Sequence, residues 1–100
     1  MRYEWSEAKR KTNLAKHGVD FAAIESFVWE EAVVAEDTRK NYGETRYTAF
    51  GPINGRLHCV YFTIRGENYR IIGLRRANER EVRSYDQKTH SPLERGEQAD

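Results

Sequence analysis

Asn54-Gly55 stands between "TRYTAFG" and "RLHCVYFTIR", two stretches rich in β-branched and aromatic residues. A tight hairpin turn needs positive φ at its centre and Asn-Gly tolerates it, so the two stretches become antiparallel neighbours. Gly66, Glu67 and Asn68 form a second tight turn into "YRIIGLRRA". The expected sheet is a three-stranded antiparallel meander, with "AVVAED" as an extra strand and "YEW" as a short opening one. Val60, Phe62 and Ile64 share one face, while Cys59, Tyr61 and Thr63 share the other. The last strand is likewise apolar on both parities, Ile72 and Leu74 against Tyr69 and Ile71. Such strands are central, covered by helices on one side and partly covered on the other.

Helix signals flank the sheet. Ser6 is a good N-cap for "EAKRKTNLAKH", Glu7 suits the first turn, and Gly18 is a natural left-handed stop behind Lys16 and His17. Asp20 is expected to cap a second helix, "FAAIESFVW", with Phe21, Ile24, Phe27 and Val28 buried. Asn78 and Glu81 fit a capping box for a final helix, with Ala77 and Val82 as its apolar staple. The fold class is therefore α+β: two N-terminal helices packed on a small antiparallel sheet, followed by a C-terminal helix. Residues 1–88 read as a single domain, and residues 89–100, which lack periodicity, as a disordered tail.

A chain of 100 residues can bury one modest core. Its mean hydropathy of -0.92 and 33% charged residues describe a wet surface. No apolar run approaches the roughly 18–20 residues needed to cross a bilayer, and "MRYEWSEAKRK" lacks the apolar region of a secretory signal. The single cysteine, Cys59, has no internal disulfide partner and reads as a core residue, so the expected location is the reducing cytoplasm.

The net charge of +1 conceals an asymmetry. Residues 1–38 carry five Lys/Arg against eight Asp/Glu, residues 39–76 eight against two, and residues 77–100 four against six. Seven of the eight central cations are arginine, which suits bidentate phosphate contacts. Strand alternation places Tyr69, Ile71 and Arg75 on one parity and Arg70 and Arg76 on the other. Either way, at least one of these arginines emerges beside Arg65 or Arg46. The guanidinium groups are expected to converge outward into one anion-binding patch; their dispersal, or the locking of each into an internal carboxylate pair, would end that argument. As surface groups, Arg70 and Arg75 should be removable at a cost within about 1 kcal/mol.

Phosphate loops, paired zinc cysteines and nucleophile elbows are missing, and His17, His58 and His90 lack ligand spacing. Neither a metal nor another cofactor is expected. Arginines interleaved with tyrosines suit single-stranded RNA. RNA cleavage without metal needs a base for the 2′-OH, an acid for the leaving oxygen and cations for the phosphate. Glu44, His17, His58 and Tyr85 are the available proton-transfer groups. Each has a plainer reading too: Glu44 as a strand-edge ion pair, His17 as a helix-terminal cation, Tyr61 and Tyr69 as packing groups. Lys9, Asn13 and Lys16 share a helical face, and Asn13 is expected to buttress a strand end.

"WSEAK", "NLAKHGVDF", "GETRYTAFG" and "YRIIGLRRANEREVRSY" together resemble the BrnT family of bacterial toxins, over roughly Tyr3 to Tyr85. The resemblance implies a fold similar to RelE and a cofactor-free ribonuclease toxin of a type II toxin–antitoxin pair. It implies a BrnA-like antitoxin partner with a ribbon-helix-helix DNA-binding end, two toxins joining an antitoxin dimer. DNA would be met only through the antitoxin, and no membrane is involved. The family's motif residues fall on Lys9, Asn13, Lys16, His17, Glu44, Arg46, Arg70, Arg75 and Tyr85. The expected catalytic set is Glu44, Arg46, Arg70, Arg75 and Tyr85, with Lys16, His17, Arg65 and Arg76 binding RNA. Gly73 stands where the family usually has Ser, which brings backbone or a base closer to the sheet. The alternative is a non-catalytic RNA- or antitoxin-binding module on the same fold.

Overall fold

The computed structural model describes residues 2–39, 41 and 43–89. Along the chain run β1 (Arg2–Glu4), α1 (Glu7–His17), β2 (Val33–Glu36), β3 (Tyr47–Ile53), β4 (Arg56–Arg65), β5 (Asn68–Arg76) and α2 (Glu79–Thr89). The strands form one sheet in the order β1-β5-β4-β3-β2. The antiparallel meander β3-β4-β5 and the extra strand β2 match the sequence reading. The sheet as a whole is mixed, because β1 runs parallel to β5, pairing Tyr3 with Tyr69 and Glu4 with Arg70. Turn signals define hairpins, but nothing local in a three-residue opening strand tells which edge it will join.

The expected second N-terminal helix is corrected to two 3-10 segments, Phe21–Ser26 and Trp29–Glu31. Asp20 does cap the first, accepting from the Ala22 amide at 2.9 Å. The tighter coil repeats every three residues, so Phe21, Ile24 and Phe27 line up on one ridge. All three are buried. The α-helix is prevented from continuing by the sheet itself: Phe27 is extended and bridges to Ile53, and the Val28 amide donates to Pro52 O at 3.0 Å.

The ridge packs on Ala49, Val60, Phe62, Ile71 and Leu74. Tyr69 belongs to this layer, stacked on Phe62 at 5.0 Å, which is the plainer reading realised. Thr89, placed in the tail by sequence, closes α2 and donates from its hydroxyl to Tyr85 O at 2.8 Å. The rest of the expected tail, residues 90–100, lies outside the described residues.

One irregularity governs which side chains face where. Tyr61 pairs with Gly73 while Phe62 pairs with Ile71, so Ile72 has no partner and β5 carries a bulge. A bulge shifts the alternation by one residue. Ile71 and Leu74 therefore both enter the core, at 1% exposure each. Arg70 and Arg75, expected on opposite faces, come out on the same face, opposite Thr63 and Cys59.

Helix α1 lies along the part of the β5 edge that β1 leaves open. Asn13 is buried there; its amide donates to Leu74 O at 2.7 Å and Val19 O at 3.0 Å, and accepts from Leu74 N at 3.2 Å. One side chain thus substitutes for a neighbouring strand, as the buttressing role anticipated. Asn13→Ala orphans the buried backbone groups of Leu74 and should lower unfolding free energy by about 2–3 kcal/mol in chemical denaturation.

Candidate functional site

Docked on the β5 edge, α1 presents Lys9, Lys16 and His17 toward the bulge. Together with Tyr61, Gly73 and Arg75 they line a groove of about 370 Å³. A second hollow of about 150 Å³, reached by Asp37, Arg39 and Arg46, shares Tyr61, Ile72 and Gly73 with it. The bulged strand is thus a saddle with cations on either side. A Cβ on Gly73 would stand 3.1 Å from Tyr61 Cδ2. The space opened by the glycine is therefore used by the Tyr61 ring, which lies against the β5 backbone across the strand pair.

Arg75 is held firmly. Nη1 donates to Glu81 Oε1 at 2.9 Å and to Arg76 O at 3.2 Å. Nη2 donates to Glu81 Oε2 at 2.8 Å and to Tyr61 Oη at 3.0 Å. Glu81 is anchored in turn by the predicted capping box, accepting from Asn78 N at 2.9 Å and donating its own amide to Asn78 Oδ1 at 2.8 Å. Bonding to Arg75 holds the Glu81 carboxyl below its ordinary range, against the opposing effect of burial. Loss of solvent, then the charges of Lys16 and Arg75, push His17 below its usual value. That leaves a neutral imidazole at neutral pH beside a fixed guanidinium and a lysine.

The other predicted site residues are distributed as follows. Glu44 and Arg46 precede β3; Glu44 lies 3.8 Å from Arg46 Nε and 3.6 Å from Arg65 Nη2. Arg70 sits at the β1 end of the sheet and pairs with Glu4 at 2.9 Å. Tyr85 lies one helical turn beyond Glu81, and its hydroxyl donates to Glu31 O at 2.6 Å. Arg76 is exposed at the end of β5. His58 is buried with Nδ1 2.7 Å from Arg56 O, and His90 lies outside the described residues. The structure thus gathers Lys16, His17 and Arg75 at one groove, with Arg46 at the adjoining hollow, and leaves Arg70, Arg76 and Tyr85 elsewhere.

The expectation of one outward arginine patch needs correction. Arg46, Arg65, Arg70 and Arg75 each carry a carboxylate partner. Lys9 and Lys16 form no ion pair with another described residue. The mobile positive charge of the groove therefore comes from α1, and the arginine strand contributes fixed charge. Sequence reasoning treated Tyr61 as a packing group and Glu81 as a cap alone. An aromatic residue opposite a strand glycine was the available signal for Tyr61, but the bulge that aligns them is not visible in the sequence.

Two consequences are measurable. Arg75→Ala strands the half-buried Glu81 carboxylate, so its cost should be about 1–2 kcal/mol rather than the smaller surface value. Because the folded pKa of Glu81 is depressed, its stabilisation is present above the ordinary value of 4.5 and fades as pH falls through the folded value. The stability gap between the parent and Glu81→Gln should accordingly be flat at neutral pH and shrink in acid, as followed by thermal melts across pH.

Among curated proteins, none matches the chain. No described helix is long and apolar enough to cross a membrane. A family model described as the ribonuclease toxin, BrnT, of type II toxin–antitoxin systems matches residues 5–81. That span runs from Trp5, ahead of α1, through the whole saddle to Glu81, the anchor of Arg75, and on it the chain belongs to the BrnT ribonuclease toxin family.

Proposed function

We propose that this chain is a metal-independent endoribonuclease whose active groove lies between α1 and the bulge of β5. The observation that carries this reading is the meeting of Lys16, His17, Arg75 and Tyr61 in one groove. Neutral His17 takes the 2′-OH proton as the 2′-oxygen bonds to phosphorus. Lys16 gives a proton to the 5′-oxygen as its bond to phosphorus breaks, so charge and protons balance. Arg75 supplies a fixed positive field, and Lys9 holds the neighbouring phosphate. Glu44, Arg46 and Arg65 form a second cluster that guides the strand beyond the saddle. Arg70 and Tyr85 serve through the contacts they make with Glu4 and Glu31. The physiological setting is the cytoplasm, with arrest of translation as the outcome. A BrnA-like antitoxin with a ribbon-helix-helix DNA-binding domain neutralises the toxin, two toxins to one antitoxin dimer.

One feature favours the runner-up, a non-catalytic RNA-binding module: most donors of Arg75 are already occupied internally. Incubating the purified chain with single-stranded RNA in EDTA separates the two, since cleavage supports the enzyme and binding alone supports the module. His17→Ala should slow cleavage by about 10²–10⁴-fold. The rate should rise with pH and level off with an inflection below 6.5, because His17 must be neutral and its pKa is depressed. Lys9→Ala and Lys16→Ala should each flatten the salt dependence of RNA affinity by about 0.7 in log–log slope.

A further inference from the structure

The Tyr61 hydroxyl has no role in the chemistry above, yet the Tyr61 side chain lines both hollows. Building on the ribonuclease reading of this groove, we propose that Tyr61 is a catalytic residue, donating a hydrogen bond from its phenol to a non-bridging oxygen of the scissile phosphate.

A guanidinium has five N–H groups, and four of those on Arg75 are spent on Glu81, Arg76 O and Tyr61 Oη. Only the Nε–H is left, so Arg75 does not offer a phosphate the two-pronged grip expected of it. Tyr61 Oη accepts from Arg75, so its own hydrogen remains to be given. A hydroxyl that accepts from a cation is a stronger donor, because the two hydrogen bonds polarise one another. The charge of Arg75 thus reaches the groove through the phenol. Inside the protein that hydrogen is engaged with the Cys59 thiol, two positions back on the same strand face. A thiol sulfur is a weak acceptor and yields to a phosphate oxygen.

The placement of the ring is equally constrained. Gly73 lets it lie on the β5 backbone, and the guanidinium carbons of Arg39 and Arg75 sit 5.6 and 5.7 Å from its centroid. A phenol fixed among cations costs little reorganisation when negative charge develops on the phosphate, which is the condition under which one donor matters most. Its hydrogen bond strengthens as the 2′-oxygen adds and the 5′-oxygen leaves; no proton passes through Tyr61 itself.

Tyr61→Phe keeps the ring and removes the hydroxyl. Single-turnover cleavage of a short single-stranded RNA in EDTA should fall at least about 100-fold, with RNA affinity within threefold of the parent and a melting temperature lowered only as far as the loss of one part-buried hydrogen bond requires. A phosphorothioate at one non-bridging position should slow the parent and leave Tyr61→Phe little altered, a difference a merely structural tyrosine would not produce. Gly73→Ala, which displaces the ring and retains the hydroxyl, should lie between the two. Parent-like cleavage by Tyr61→Phe, or an equal thio effect in both proteins, overturns the assignment while sparing the ribonuclease reading. A parent that binds RNA and leaves it intact overturns both.

Discussion

The unpaired Ile72 is the constraint from which the rest of the molecule follows. Strict alternation through β5 would send Gly73 and Arg75 inward with Ile71 and turn Leu74 out. A guanidinium in the apolar layer has to be dehydrated and paired at a cost of several kcal/mol, so a local slip of the ladder is the cheaper arrangement. The bulge forfeits regular pairing at one position and in return keeps Ile71 and Leu74 in the core and Arg75 outside it. The same slip faces Gly73 toward Tyr61 and leaves Leu74 with both backbone groups on the open edge, where Asn13 takes them. Through Asn13 the bulge sets the position of α1, and through α1 it sets the position of Lys9, Lys16 and His17. Core packing and groove geometry are thus consequences of one irregular pair.

Fixed and free charge are divided between the elements. Three strand arginines stand close to carboxylates on neighbouring segments and are paired there: Arg70 with Glu4, Arg75 with Glu81, Arg65 with Glu44. Lys9 and Lys16 come from an exposed helix face and form no ion pair with another described residue. A cation already bonded inside the protein loses little entropy when an anion arrives, whereas a lysine on a flexible stem can follow a moving phosphate. Electrostatic preorganisation therefore resides in β5 and α2, and adaptability resides in α1.

How much of this the sequence contains differs by element. Asn54-Gly55, the Ser6 cap with Gly18 and the Asn78–Glu81 box are local signals whose geometry depends on neighbours a few residues away, and each appears as read. The 3-10 segment was missed because Phe21, Ile24 and Phe27 fit a three-residue repeat as well as a helical one, and the sheet decided between them. The edge chosen by β1 and the bulge at Ile72 depend on packing across the whole sheet, which no local pattern encodes. Among the groove-lining residues, Lys16, His17 and Arg75 were named from the family resemblance, while the residues alone read His17 as a helix-terminal cation. Tyr61 was hidden because its role depends on register: a tyrosine in an apolar strand is ordinarily packing, and only pairing with Gly73 and contact with Arg75 change its meaning.

The chain from Asn78 through Glu81 and Arg75 to Tyr61 ties this register to the start of α2. Each link is a hydrogen bond of 2.8–3.0 Å, the first two within the opening turn of α2 and the others joining α2 to β5 and β5 to β4. Asn78 and Glu81 are what any helix start of this kind would carry, so the cap costs nothing extra in design and doubles as an anchor for a cation. A capping box normally satisfies orphan amides at a helix N-terminus and goes no further. Here the carboxylate has both oxygens engaged by one guanidinium, and that guanidinium has few donors left for any ligand. A site arranged this way acts on an anion less by gripping it than by holding a polarised hydroxyl where charge will appear, which makes rigidity of the α2 start a condition of the chemistry as well as of the fold.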